Sequence, residues 1–265
     1  MHRRLSTRAG TYLRLEVPRL HRIGAQAVLL AGLRRALRPH SSGTDLYVWL
    51  EGHGRTGSSD SLDHVIGWLT SLHPALFAVD DAEAARLVDE ASSIHHQILA
   101  ASKAATGFAE MVLMRPDGAL HRQLTATGLP QITFNYLGQP ADIADRILRP
   151  MPTPEGATIG DRNVLPTPFD VTVTPALDGT VTCHFSVDPA LLAADEVRQV
   201  ADRFTAEVET AARLVPLTAA PRAHSPRTLV LVHPVGGLLD WYTHLVAGLG
   251  GGWELLRHPA RSHRR

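Results

Sequence analysis

Residues 47–57 read YVWLEGHGRTG. Tyr47, Val48, Trp49 and Leu50 are strand-forming residues, and they run directly into Glu51, His53 and Arg55, spaced by Gly52 and Gly54. A strand that only has to turn ends in Asn-Gly or Asp-Gly. This one instead brings a carboxylate, an imidazole and a guanidinium to one sheet edge. On a strand end, Glu51 is held more rigidly than it would be on a loop. Apolar neighbours such as Trp49 would raise its pKa toward the range useful for proton transfer. The two glycines permit close backbone approach. Arg55 can orient the carboxylate or meet a phosphate, and His53 can support it from behind. The same residues also admit a purely structural reading, a Glu51–Arg55 ion pair closing a strand.

Working outward, residues 18–38 place Ile23, Ala27, Leu30 and Leu33 at helical spacing, with Arg34 and Arg35 on the other side. The segment TDLYVWLEG follows as a strand. HVIGWLTSLHPALFAV (64–79) is rich in strand formers, broken by Gly67 and Pro74. Residues 81–104 read as a helix with Asp80 or Asp81 at its N-cap. PQITFNYLGQ (130–139) is a strand ending in a turn, with Asn135 and Tyr136 near its end. FDVTVTPALDGTVTCHFSVD (169–188) reads as a hairpin turned at Asp178-Gly179. From Asp195 to Leu214 an amphipathic helix aligns Val197, Val200, Ala201, Phe204, Val208 and Ala211. Strands and helices mix without a βαβ rhythm, which predicts an α/β sandwich over a doubly wound sheet.

Composition narrows the function classes. Of 265 residues, 44% are hydrophobic and 20% charged, enough to build a core. The formal net charge is zero, so no bulk electrostatic case for nucleic acid or an anionic membrane survives. No run reaches the roughly 18 apolar residues of a bilayer span, and a cytoplasmic protein is expected. Cys183 is the only cysteine, which excludes a disulfide framework or a cysteine-based metal site. His95 and His96 are adjacent within a helical segment, pointing about 100° apart, and read as helix-surface residues. No metal is expected.

Three motifs stand in order: EGHGR (51–55), VIGWLT (65–70) and FNYLGQ (134–139). Together they resemble the C-terminal half of an epimerization domain of a nonribosomal peptide synthetase, a branch of the condensation-domain superfamily. The likeness covers about residues 10–214. It implies one lobe of a chloramphenicol-acetyltransferase-like α/β sandwich over residues 1–214, and L-to-D epimerization at Cα of a carrier-bound aminoacyl or peptidyl thioester. It further implies that Glu51 is one of two acid/base groups and that Tyr136 faces the reaction channel, with His53, Arg55 and Asn135 in support. The substrate would ride on the phosphopantetheine arm of a peptidyl carrier protein domain, with no cofactor bound directly. The family's His-His-x-x-x-Asp signature belongs to an N-terminal lobe that this sequence lacks. After His95-His96 the sequence continues QILAA, with Ala100 where the aspartate would stand. The family's Gly-Tyr-Gly segment is reduced to Gly107 in AATGFAEMVLMR. Weak or absent activity alone is therefore expected. Two readings compete: a non-catalytic module docking a carrier protein or tailoring enzyme, and a truncated product without a role of its own.

Residues 215–227, VPLTAAPRAHSPR, have linker chemistry. Residues 228–265 open with TLVLVHPVGGLLDWY, which resembles the strand, glycine turn and helix that begin a type I thioesterase of the α/β-hydrolase fold. There Val235 and Gly236 would flank half an oxyanion hole. No G-x-S-x-G follows, so the segment reads as a stump without a nucleophile.

Overall fold

The computed structural model describes residues 1–41, 43–52, 67, 69–79, 86–105, 108, 118–119, 122–123, 126, 128–138, 167–176 and 178–217, with the strands at 227–232 and 253–258. The chain divides into two compact units, Met1–Leu217 and Thr218–Arg265. In the first, strands β1 (His2–Leu5), β2 (Leu46–Gly52), β3 (Ser71–Phe77), β4 (Ile132–Tyr136), β5 (Phe169–Pro175) and β6 (Val181–Val187) form one sheet. Their order is β1-β6-β5-β4-β2-β3. The central β2, β4 and β5 are parallel, and the outer pairs are antiparallel.

Alternation along these strands decides which face is covered. On β2, Leu46, Val48 and Leu50 are buried, while Tyr47, Trp49 and Glu51 are only partly so. On β5, Phe169, Val171, Val173 and Pro175 are buried and the residues between them are not. One face therefore packs against helices, and the other is left polar. The helices are α1 (Thr7–Thr11), α2 (Val17–His21), α3 (Ala25–Leu37), α4 (Leu87–Ala105) and α5 (Ala194–Leu214). Phe204 of α5 meets Phe185 of β6 edge-on, with ring centroids 5.6 Å apart. A side chain at Gly32 would press on Val208 and Phe204, so glycine lets α3 lie close to α5.

The expected hairpin forms, with Gly179 at φ +82° in its turn. Its tip is packed tightly, because a Cβ at Gly10 would lie 1.9 Å from the Gly179 carbonyl oxygen. Pro74 does not break its strand. It sits inside β3, the edge strand, where a missing N–H is tolerated.

The expected helix over 18–38 is two helices. Arg22 adopts the left-handed conformation (φ 57°) and closes α2, and Gly24 caps α3. The polar side expected at Arg34 and Arg35 is also corrected. Arg34 is 3% exposed. Its Nη1 donates to Glu90 Oε1 of α4 at 2.8 Å, its Nε to the Thr44 carbonyl at 2.6 Å, and its Nη2 to the Val79 carbonyl. Arg35 Nε donates to the other Glu90 oxygen at 2.7 Å and its Nη1 to Glu207 of α5. Two hydrogen-bonded charges survive burial where one alone would not. β1 was not foreseen either; it pairs with β6 from His2 to Leu5.

In the second unit the described residues are two parallel strands, β7 (Arg227–Val232) and β8 (Trp253–His258). β8 falls where no strand was expected, and the expected glycine turn and helix lie outside the described residues.

Two stability predictions follow from burial. Glu90→Gln leaves two arginines facing a neutral amide and should cost roughly 3–5 kcal/mol, read as a lower urea midpoint. His73, on the core face of β3 opposite Leu50, is buried with neither ring nitrogen hydrogen-bonded, and burial lowers its pKa. The unfolded chain then binds this proton more readily than the folded one. The stability due to neutral His73 is present above about pH 6.5 and is lost as pH falls toward its lowered folded value. In urea titrations His73→Leu should flatten that decline, whereas an unchanged pH profile would refute the assignment.

Candidate active site

Glu51 is set by the β2 alternation on the sheet face away from the helices. Leu50 pairs with Phe134 of the parallel strand β4, and both side chains enter the core. The next residues, Glu51 and Asn135, consequently share the opposite face. Asn135 Nδ2 donates to Glu51 Oε2 at 2.5 Å. On the other flank, Leu72 of β3 pairs with Glu51 and leaves an exposed apolar side chain beside it. Two residues earlier, Trp49 meets Phe108 edge-on at 5.8 Å, so this part of the face is not bare. Tyr47, another step back, donates its hydroxyl to the Gly128 carbonyl at 3.3 Å.

These surroundings perturb the carboxyl. Burial raises the Glu51 pKa, the negative charge of Asp170 on β5 raises it further, and the Asn135 amide acts in the opposite direction. Asp170 is itself raised by burial, against a hydrogen bond from Thr172 Oγ1 at 3.1 Å. A half-buried carboxylic acid that gains and loses a proton nearer neutrality than an ordinary glutamate suits general acid/base chemistry. Asp170 was not singled out by sequence. Its signal was its position in the alternation of β5, but β5 had to be placed two strands from β2 before that meant anything.

The other expected site residues divide. Asn135 joins Glu51. Tyr136 follows on β4, alternates to the face of Ile132 and Phe134, and packs against the core. The structure thus does not bring it to Glu51's face. His53, Arg55, Val235 and Gly236 lie outside the described residues. At Gly52 the tight neighbour is Ser71 Oγ, 3.0 Å from where a Cβ would stand, so the close approach there is to the adjacent strand. His95 Nδ1 accepts the Gly24 N–H at 3.5 Å, stitching α4 to the start of α3, while His96 is exposed. Cys183 is buried, which pushes its thiol up to about 12 and removes it as a nucleophile. A cavity of about 470 Å³, lined among others by Arg38, His40, Leu46 and Leu129, lies toward the start of β2 and does not include Glu51.

Among the described residues no helix is long and apolar enough to cross a membrane. The family model for the condensation domain matches residues 11–217. One linear gramicidin synthase of Brevibacillus parabrevis is 36% identical over 126 residues, 47% of this chain and 2% of that protein. The structure of the epimerization domain from the third module of tyrocidine synthetase B superposes with a TM-score of 0.66 at 20% identity, covering 81% of this chain and 47% of that one. The first condensation domain of the CDA synthetase gives 0.53 at 16%, covering 80% and 45%. At such identities the structures establish a shared fold. The chain spans about half of each solved domain and a small share of the curated relative.

If Asn135 favours the ionised form of Glu51, as its N–H donation requires, Asn135→Leu should move the Glu51 titration midpoint upward. Side-chain carboxyl ¹³C NMR against pH reads this directly, and a downward move would contradict it.

Proposed function

The chain belongs to the condensation-domain family, and we propose that its first unit supplies Glu51 as one acid/base group in the epimerization of an aminoacyl or peptidyl thioester at Cα. The observation that carries this reading is the half-buried Glu51 carboxyl, hydrogen-bonded by Asn135 on the uncovered sheet face and raised in pKa by its surroundings. The substrate is held as a thioester on a carrier domain's phosphopantetheine arm, the partner that the family resemblance implies.

The chemistry follows from the thioester. Its carbonyl acidifies the α-proton, and Glu51 takes that proton as the C–H electron pair moves toward the thioester oxygen. Returning a proton to the opposite face of Cα inverts the centre. Every side chain on one sheet face approaches from one side, so a second acid/base group has to face this sheet across the substrate. No His-His-x-x-x-Asp occurs in the sequence, and that group comes from another polypeptide segment. Asn135 holds the Glu51 carboxyl in place through the transfer. Tyr136, Arg55 and His53 are proposed as supporting residues, Tyr136 from the core side of the strand end.

For residues 228–265 the thioesterase-like reading rests on LVLVHPVGGLLDWY and is compatible with the parallel β7–β8 pair, which needs a crossover connection. The reduced Gly107 segment favours one alternative for the first unit, a module that docks a carrier domain without turning substrate over. Saturable binding of a phosphopantetheinylated carrier with no exchange under any condition below would support that alternative.

In D₂O, the chain alone should leave the Cα proton of a carrier-loaded aminoacyl thioester unexchanged. Adding a His-His-x-x-x-Asp-bearing lobe should start exchange, and Glu51→Gln should slow it by roughly 10²–10⁴-fold, the usual worth of a general acid/base. Exchange that ignores the Glu51→Gln change would sink the acid/base reading.

A further inference from the structure

The same sheet face carries a second carboxylate that the proposed reaction leaves unused. Sheet register puts Trp49, Thr133 and Asp170 in one row across β2, β4 and β5. Asn135 and Thr172 are paired in the next row, where Asn135 binds Glu51. Thr172 Oγ1 reaches back to Asp170 Oδ1 and fixes that side chain on the open face. Asp170 is half-buried, and among the described residues neither it nor Glu51 has an ion-pair partner.

We propose that Asp170 is a positioning residue for the proton of Glu51: its negative charge, two strands away on the same partly desolvated face, keeps Glu51 protonated for part of each cycle so that it serves as acid as well as base. This rests on the acid/base reading of Glu51 given above. Two like charges on one poorly solvated surface cannot both ionise cheaply. Aspartate has the lower intrinsic pKa, about 3.9 against 4.3 for glutamate. Asp170 therefore ionises first, and Glu51 titrates against its charge.

The other titratable side chains facing this surface, among the described residues, are Tyr47 on β2, His184 on β6, and His2 and Arg4 on β1. His184 lies three strands from Glu51 and the β1 residues four, so Asp170 is nearer than any of these charges. On the remaining side β3 presents Leu72 and Pro74, and Phe108 over Trp49 is apolar. Low polarity on that side leaves the Asp170 field poorly screened.

The test is a ¹³C NMR titration of the Glu51 and Asp170 carboxyls in the full chain, assigned with Glu51→Gln. Asp170→Asn keeps the shape and the Thr172 hydrogen bond but removes the charge, and should move the Glu51 midpoint downward. Asp170→Glu keeps the charge and should restore the high midpoint. In the unaltered protein the Asp170 signal should show a second inflection at the Glu51 midpoint, a coupling readable without any Asp170 variant. An unmoved Glu51 midpoint in Asp170→Asn, an equal drop in Asp170→Glu, or a missing second inflection overturns the proposal. If the titration is unmoved while exchange still depends on Glu51, only the role of Asp170 falls. If exchange ignores Glu51→Gln, the acid/base reading falls and the role of Asp170 goes with it, whatever coupling the titration shows.

Discussion

Glu90, buried at 1% exposure, holds Arg34 and Arg35 of α3 through separate carboxylate oxygens. Through Arg34 the same cluster binds the carbonyls of Thr44, just before β2, and Val79, just after β3. Arg35 extends it to Glu207 on α5. Three helices and both ends of the β2–β3 pair thus meet at one carboxylate. Such a cluster adds little net stability over an apolar replacement, because desolvation offsets the attraction. What it supplies is placement. Removing any one charge strands the others, so the helices cannot slide past one another or past the strand pair that carries Glu51.

That placement separates the two faces of the sheet. The helix-side face is continuous, from Leu5 through Phe185, Val171 and Phe134 to Leu50 and Phe77, and every one of these is at most 2% exposed. Dispersion and burial on that side hold the strands in register. The opposite face can then be polar without loss of the fold, and it carries Glu51, Asn135, Asp170, Thr172 and His184. Keeping acids there is not free. A carboxyl with a raised folded pKa binds its proton more tightly folded than unfolded. Its contribution is therefore fully present at low pH and is lost as pH rises from the unfolded value through the raised one. Glu51 and Asp170 both weaken the lobe at neutral pH, the behaviour expected of groups placed for chemistry.

Much of this was legible in the sequence. The hairpin at 169–188 carried two period-2 runs around Asp178-Gly179, and α5 carried a clean 3.6-residue apolar stripe, so local patterning and tertiary packing agreed. The pairing of β1 with β6 was not legible, because a four-residue basic strand has no pattern of its own. The Arg34 error had a specific cause. Arginine at helical spacing usually marks a solvated side, and only a glutamate 56 residues later, on a separate helix, reverses that. α3 is buried on nearly all sides because α4 and α5 flank it, a fact about neighbours that its own periodicity does not record.

The sequence by itself determined the family, the strand that bears Glu51 and the side of that strand on which it lies, because a period of two and three ordered motifs are local properties. Tertiary structure alone decided what surrounds the carboxyl. Asn135 is 84 residues away and Asp170 further still, and they reach Glu51's face only because β4 and β5 enter the sheet parallel to β2 in one register. A shift of one residue in that register would turn Asn135 into the core and bring Tyr136 out in its place.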